Sequence, residues 1–299
     1  MDQWSEVRHS TAVKILVSAL LVATQVAAQE PLKGSAQTSA QTESSKAPIQ
    51  DNSFLIEEAY NQEPGVVQHI SAFAWEPKTH AWTYAFTQEW PLFSQRHQLS
   101  YTVPIVSGGR DQGSGIGDIA IHYRYQLAQG ERFGLFAAPR LSLIVPTGNE
   151  RQARGTGGTG VQVNLPISLE HSAKLVTHWN AGATVTPSAR NALGDKATTR
   201  SYNIGGSIIW LALPELNFML ELAGTREETV AGPDQRAAER SLFLAPGVRG
   251  AIDFPSGLQI VPGFAVPIGI GPSRGDRELF FYLSFEHPFS DRAKERPSP

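Results

Sequence analysis

His69 and Ser71 stand two residues apart. On a strand, that spacing puts an imidazole and a hydroxyl on one face, where the imidazole can act as general base for the serine. His178 and Asn180 repeat the spacing and could supply the polar group that orients the base, which is an arrangement a lipid hydrolase can use. The plainer reading of both pairs is polar decoration on a sheet wall. GTGGTG, Gly155–Gly160, matches the GxGxxG pattern of dinucleotide sites. That pattern holds a pyrophosphate only where a strand turns into a helix, and here the strand-like VQVNLPISLE follows, so the segment reads as a loop. The sequence contains no HExxH, no EF-hand loop and no tight His/Asp/Glu cluster, and it implies neither metal nor cofactor.

The elements that must carry these residues are strands. In IGDIAIHYRYQL, residues Ile119, Ile121, Tyr123, Tyr125 and Leu127 alternate with polar neighbours, and VQVNLPISLE and LNFMLEL do the same. The alternation runs for about ten residues, whereas soluble strands average about five or six and a tilted membrane-crossing strand needs about nine to eleven. Twelve segments qualify: 66–75, 79–90, 96–106, 115–128, 133–146, 158–171, 174–186, 200–213, 216–226, 239–251, 257–269 and 278–289. Short connections (FSQR, AQGER, HSAK, LPEL, DFPSG) alternate with longer polar ones (SGGRDQGSG, TGNERQARGTG, SARNALGDKATT, TREETVAGPDQRAA). The expected fold is therefore all-β: a transmembrane antiparallel up-and-down β-barrel of about twelve strands with periplasmic termini. In LFFYLSFEHPF, the closing strand pairs back onto the first, so no edge remains. A secreted β-sandwich is the soluble alternative.

Alternation assigns the faces. Lipid should meet Ile119, Ile121, Leu165, Phe218, Leu220, Phe281 and Leu283, with Trp82 and Tyr202 in one aromatic belt and Trp90, Tyr125, Trp210 and Phe285 in the other. The lumen should meet Glu89, Asp118, His122, Arg124, Arg140 and Gln162 on the earlier strands. On the later ones it should meet Asn164, Glu170, His178, Asn180, Glu221 and Arg249, beside inward apolar Ile209, Leu211, Phe243 and Phe280. His122 is expected to face water and acidic neighbours. Eight strands leave an interior that side chains fill and sixteen leave a wide channel, so twelve allow a narrow pore, a polar plug or a closed barrel whose inner residues pair with one another.

The remaining composition agrees with export to a membrane. Charged residues are 18% of the chain, the formal net charge is -3 and there is no cysteine. A basic nucleic-acid surface, disulfides, thiolate metal sites and a lipoprotein anchor are therefore excluded, and nucleic acid is not an expected partner. Residues 1–28 read as a secretory signal peptide, with Arg8 and Lys14 before the apolar run Ile15 to Ala23 and small residues Val26 and Ala28 at the cleavage site. Residues 29–52 read as a flexible Ser/Gln/Thr/Ala linker. Residues 53–65 form an N-terminal arm in which Phe54, Ile56 and Tyr60 fit one or two helical turns, whether docked at the barrel mouth or extending from it. The barrel spans 66–289, and 290–299 is a polar tail.

Gly115-Ile116-Gly117-Asp118 opening an alternating strand, LIVPTG from Leu143 to Gly148 ending the next, and a last strand finishing at Phe289 together resemble one outer-membrane family. It is the channel family named for the meta-pathway of phenol degradation. The resemblance covers about Phe54 to Phe289 and implies a monomeric or oligomeric outer-membrane barrel for uptake or efflux of small compounds, hydrophobic ones included, with no catalytic residues. Its partners would be outer-membrane lipids, the barrel assembly machinery and a small-molecule solute. The function expected is a bacterial outer-membrane channel or transporter for small molecules, hydrophobic or aromatic ones included. The alternatives are a lipid-modifying enzyme and a structural or surface-binding barrel without transport.

Overall fold

Two-residue alternation becomes, in the computed structural model, twelve antiparallel strands that close on themselves. The structure describes residues 52–110, 112–130, 134–254 and 258–288. The signal-peptide, tail and Phe289 readings, and the linker up to residue 51, fall outside the described residues.

In chain order the strands are β1 (Val66–Trp75), β2 (Trp82–Leu92), β3 (Ser94–Gly109), β4 (Gln112–Ile116, Ile119–Tyr125 and Ala128–Gln129) and β5 (Leu135–Ala137 and Arg140–Val145). They continue as β6 (Gly160–Ser172), β7 (Leu175–Arg190), β8 (Lys196–Leu213), β9 (Leu216–Gly232), β10 (Gln235–Gly250 and Ile252–Asp253), β11 (Gln259–Ala265 and Ile268–Gly269) and β12 (Leu279–Pro288). Each strand pairs with its sequence neighbours, and β1 pairs with β12 from Val66↔Pro288 to Trp75↔Leu279. Every ladder therefore has a partner on both sides, the condition for burying backbone in lipid. Val66 and Pro288 lie together at the end of the barrel that carries the short turns.

Wall residues divide as the pleat requires. Ile121 is 44% exposed on the outer surface and His122, its neighbour, 1%. Leu165, Phe218, Leu220, Phe281 and Leu283 also lie exposed outside, with Ile119 half-exposed. Trp210 and Phe218 stack on adjacent strands with ring centroids 5.8 Å apart near the short-turn end.

Three of the long polar connections are mostly strand, and one of them, SGGRDQGSG, continues β3 and β4, which pair from Ile105↔Ile116 to Gly109↔Gln112. SARNALGDKATT and TREETVAGPDQRAA mostly continue the ladders of β7 to β10, which reach 16 to 18 residues, and Asp234 turns the tighter of the two hairpins at φ 56°. Beyond the lipid the outer face of a strand meets water and need not be apolar, so Thr198 lies exposed outside while Thr199 is buried inside, and hydropathy periodicity cannot reveal the extension. The result is a hydroxyl-rich palisade at the long-loop end.

Candidate functional site: an internal segment and its socket

The barrel interior is occupied by the chain's own segment 52–62, in which every residue is buried. It enters from the short-turn end before Val66, rises to about mid-wall at Ile56 and Glu57, and comes back beside Arg249 on the second residue of the β9/β10 ladder. No helix forms there, against the sequence expectation. The amide groups of Phe54, Leu55 and Ile56, which a helix would leave free in its first turn, all donate to Oε1 of Glu221 at 3.0, 3.0 and 3.2 Å. The barrel wall has taken the place of a helix cap.

Several other polar groups of the segment are matched from distant strands. Ser53 Oγ lies 2.6 Å from Ser207 Oγ, Ala59 N donates to Ser168 Oγ at 2.8 Å, and Asn61 N donates to Gln126 Oε1 at 2.9 Å. Arg124 reaches only inward: Nε donates to Asn61 Oδ1 at 2.8 Å, Nη1 to Glu58 O at 3.0 Å, and Nη2 to Tyr60 O and, at 3.3 Å, to Gln98 Oε1. Arg249 Nη1 donates to Asn52 O at 2.9 Å, with its guanidinium 5.0 Å from the centre of the Tyr282 ring. Buried polar groups are costly unless paired, so this density of matched donors and acceptors fixes one docked position.

Apolar contacts supply the rest. The Phe54 ring packs 5.4 Å from both Phe280 and Tyr282, and Tyr60 meets Phe136 edge-on at 4.7 Å. Phe54 fits because the wall beneath it is glycine. A Cβ at Gly263 would lie 2.5 Å from the ring and one at Gly247 2.8 Å, well inside contact distance. Ile209, Met219, Ala245 and Val261 complete this inner cluster.

Above the segment, toward the long-loop end, a cavity of about 440 Å³ opens between the strand extensions. Thr83, Thr102, Thr184, Thr199 and Thr225 line it. Asp118 was expected in the lumen, but the strand breaks at Gly117 and the carboxylate is committed to a loop on the rim of this cavity. It accepts from Gly148 N at 3.0 Å, Thr156 N at 2.7 Å and Thr156 Oγ1 at 2.9 Å. Asp118 thus ties together GIGD, LIVPTG and the GTGGTG loop.

The other sequence candidates fall as follows. Glu89, His122, Arg124, Arg140, Gln162, Asn164, His178, Asn180, Glu221 and Arg249 are buried on the inner side, while Glu170 is half-buried near the short-turn end. His122 does not face water: Nε2 is 3.1 Å from Thr102 Oγ1, and Nδ1 is 2.8 Å from Ser142 Oγ and 2.7 Å from Arg140 Nη1. His69 lies on the outer face of β1, stacked 4.7 Å from Phe285, with Ser71 Oγ 3.1 Å from Tyr84 OH. His178 is inside, with Nδ1 2.7 Å from Ser168 Oγ. The two pairs stand on opposite sides of the wall and make no triad. Sequence reasoning missed Gln98, and also Glu57, Glu58 and Asn61, whose trace was an acidic pair set between apolar residues in FLIEEAYNQ, and it put Gln126 and Ser168 on polar strand faces without singling them out.

No protein-family model and no curated protein sequence matches the chain. Solved structures do match in fold. An outer membrane channel from Pseudomonas putida F1 aligns at TM-score 0.54 and 13% identity, over 77% of this chain and 97% of that one. The NanC porin aligns at TM-score 0.50 and 9% identity, over 73% of this chain and 98% of the porin. Identities this low establish the shared barrel fold alone.

Proposed function

We propose that the chain is a bacterial outer-membrane channel for small molecules, hydrophobic and aromatic ones included, of the phenol-degradation meta-pathway type. In this reading the short-turn end faces the periplasm, the long-loop end faces outward, and segment 52–62 is a removable plug. The observation that carries the proposal is how the plug is held. It joins no β-ladder; side chains hold it, beneath a cavity of about 440 Å³. A segment held this way can leave without breaking the barrel, because no ladder hydrogen bond depends on it.

The reading assigns no catalytic residue and needs no cofactor. Outer-membrane lipid and the barrel assembly machinery are its partners through the lipid-facing belt and the closing strand. A structural barrel without transport is favoured by the same plug if the plug never leaves. Reconstitution of the full chain in planar bilayers decides between them. The channel reading expects discrete current steps, and silence at every applied voltage would replace it with the closed barrel.

A further inference from the structure

Glu57 sits in a socket with the shape of a carboxylate receptor. Its Oε1 is 3.1 Å from Arg140 Nε and 3.8 Å from Arg124 Nη1, and Asn164 Nδ2 donates to its Oε2. Both guanidinium groups and the carboxylate are fully buried, so the charges are not dispersed into solvent.

The wall holds this receptor ready without help from the plug. Arg140 Nη2 donates to Gln162 Oε1 at 3.0 Å, and Nη1 rests against His122, which Thr102 and Ser142 fix in turn. Among the described residues, Glu57 is the carboxylate within salt-bridge range of Arg140. Arg124 has one wall carboxylate in its field, Glu89, which Gln98 binds at 2.9 Å. When the plug departs, Arg140 therefore keeps its position and loses its counter-ion, which leaves a preorganised guanidinium open to another anion.

We infer that the Arg124–Arg140–Asn164 socket is the channel's recognition site for small monocarboxylate solutes, and that Glu57 occupies it in place of the solute's carboxylate while the plug is docked. The inference rests on the channel reading. The socket's two sides select the class: a guanidinium edge meets one oxygen and an amide donor the other, which suits a planar carboxylate. A phosphate would turn further charged oxygens toward the wall carboxylate Glu89. Where Ile56 and Tyr60 leave, Gly205 and the Phe136 ring offer apolar surface between the polar side chains of Asn180, Ser168 and His178. An aromatic or aliphatic body attached to the carboxylate fits there. Solute and plug cannot occupy the socket together, so solute binding shifts the plug toward release in proportion to occupancy.

Hydrogen exchange on the full-length protein in detergent, read by mass spectrometry over residues 54–62, tests this with benzoate as the probe. Benzyl alcohol and chloride, at matched ionic strength, are the neutral and simple-anion controls. At ten times its dissociation constant, benzoate should accelerate plug exchange about tenfold, while neither control does. In Arg140→Gln, whose plug exchanges faster from the start, the benzoate-specific increment should vanish while barrel amides stay protected. Equal effects of benzoate and benzyl alcohol, no effect of benzoate on the wild type, or an increment that survives in Arg140→Gln would each overturn the site. Current through the same preparation in planar bilayers is a separate readout. Its absence would overturn the channel reading, whereas the exchange result alone decides the carboxylate site.

Discussion

Removing the Glu221 carboxylate should release the plug while leaving the barrel intact. In Glu221→Ala the amides of Phe54, Leu55 and Ile56 lose the oxygen that accepts all three. Each is buried, and an unsatisfied buried amide costs about 1–3 kcal/mol, so three would cost up to about 9 if they added. They share one acceptor and the loop can relax, which makes about 3 kcal/mol the working figure. At 1.4 kcal/mol per tenfold, the ratio of docked to undocked plug falls about a hundredfold. Glu221→Gln keeps an acceptor oxygen but not its charge, and should lie between. The assay is amide exchange resolved over 54–56, with the β9/β10 ladder as internal reference. The plug amides should exchange about a hundredfold faster in Glu221→Ala, and ladder amides at the wild-type rate. Unchanged protection at 54–56 would refute the docking energetics, and a parallel loss in the ladder would mean the plug is part of the barrel's own stability.

Other perturbations act at separate points. Gly263→Val places a branched side chain where a Cβ alone would lie 2.5 Å from Phe54, so the ring must leave its socket at about 1–3 kcal/mol; increased protease access to 52–62 checks it, and an unaffected plug argues against the fit. Ile121→Arg should lower barrel stability in lipid vesicles by about 2–4 kcal/mol, because the guanidinium faces hydrocarbon; an unchanged unfolding transition would invert that strand's register. His122→Arg should also destabilise, by about 3–5 kcal/mol, since it adds a buried cation beside Arg140, and a neutral outcome in the same assay would mean the site holds water. Glu278, in the connection before β12, is pushed up to about 8 by burial and then by Glu76 and Asp276. The folded state keeps that proton after the unfolded state has released it, so this connection should lose stability by about 1.4 kcal/mol per unit as pH rises from about 5 to 8. Glu278→Gln should flatten the dependence. Trypsin cleavage at Arg274 and Arg277, taken as a wild-type to variant ratio across that range, measures it, and a constant ratio would contradict the assignment.

How much the sequence revealed follows from where each force acts. Within the membrane, one face of each strand must be apolar, so Ile121 and His122 or Leu220 and Glu221 could be assigned to opposite sides from alternation alone. Outside the membrane that constraint lapses, and the extensions of β7 to β10 looked like loops. Asp118 had the right parity for the lumen, but a break at Gly117 turned it to the loop knot. The plug was the least legible element. Phe54, Ile56 and Tyr60 fit a short helix as well as a loop, and what chose between them is Glu221, more than 160 residues away. Partners so remote leave no local pattern. A narrow pore, a plug and a closed barrel were all compatible with twelve strands, and only the docked segment separates them.

The central claim, that a removable segment closes this barrel, can be tested with a covalent lock. The chain has no cysteine, and Ser53 Oγ lies 2.6 Å from Ser207 Oγ, so Ser53→Cys with Ser207→Cys puts a lone thiol pair across the plug and the wall. Single-channel current is then recorded in planar bilayers before and after addition of a reductant on the short-turn side. The account predicts a silent barrel while the disulfide is closed and discrete openings once it is reduced. Equal current in the two states, or silence in both, would contradict it.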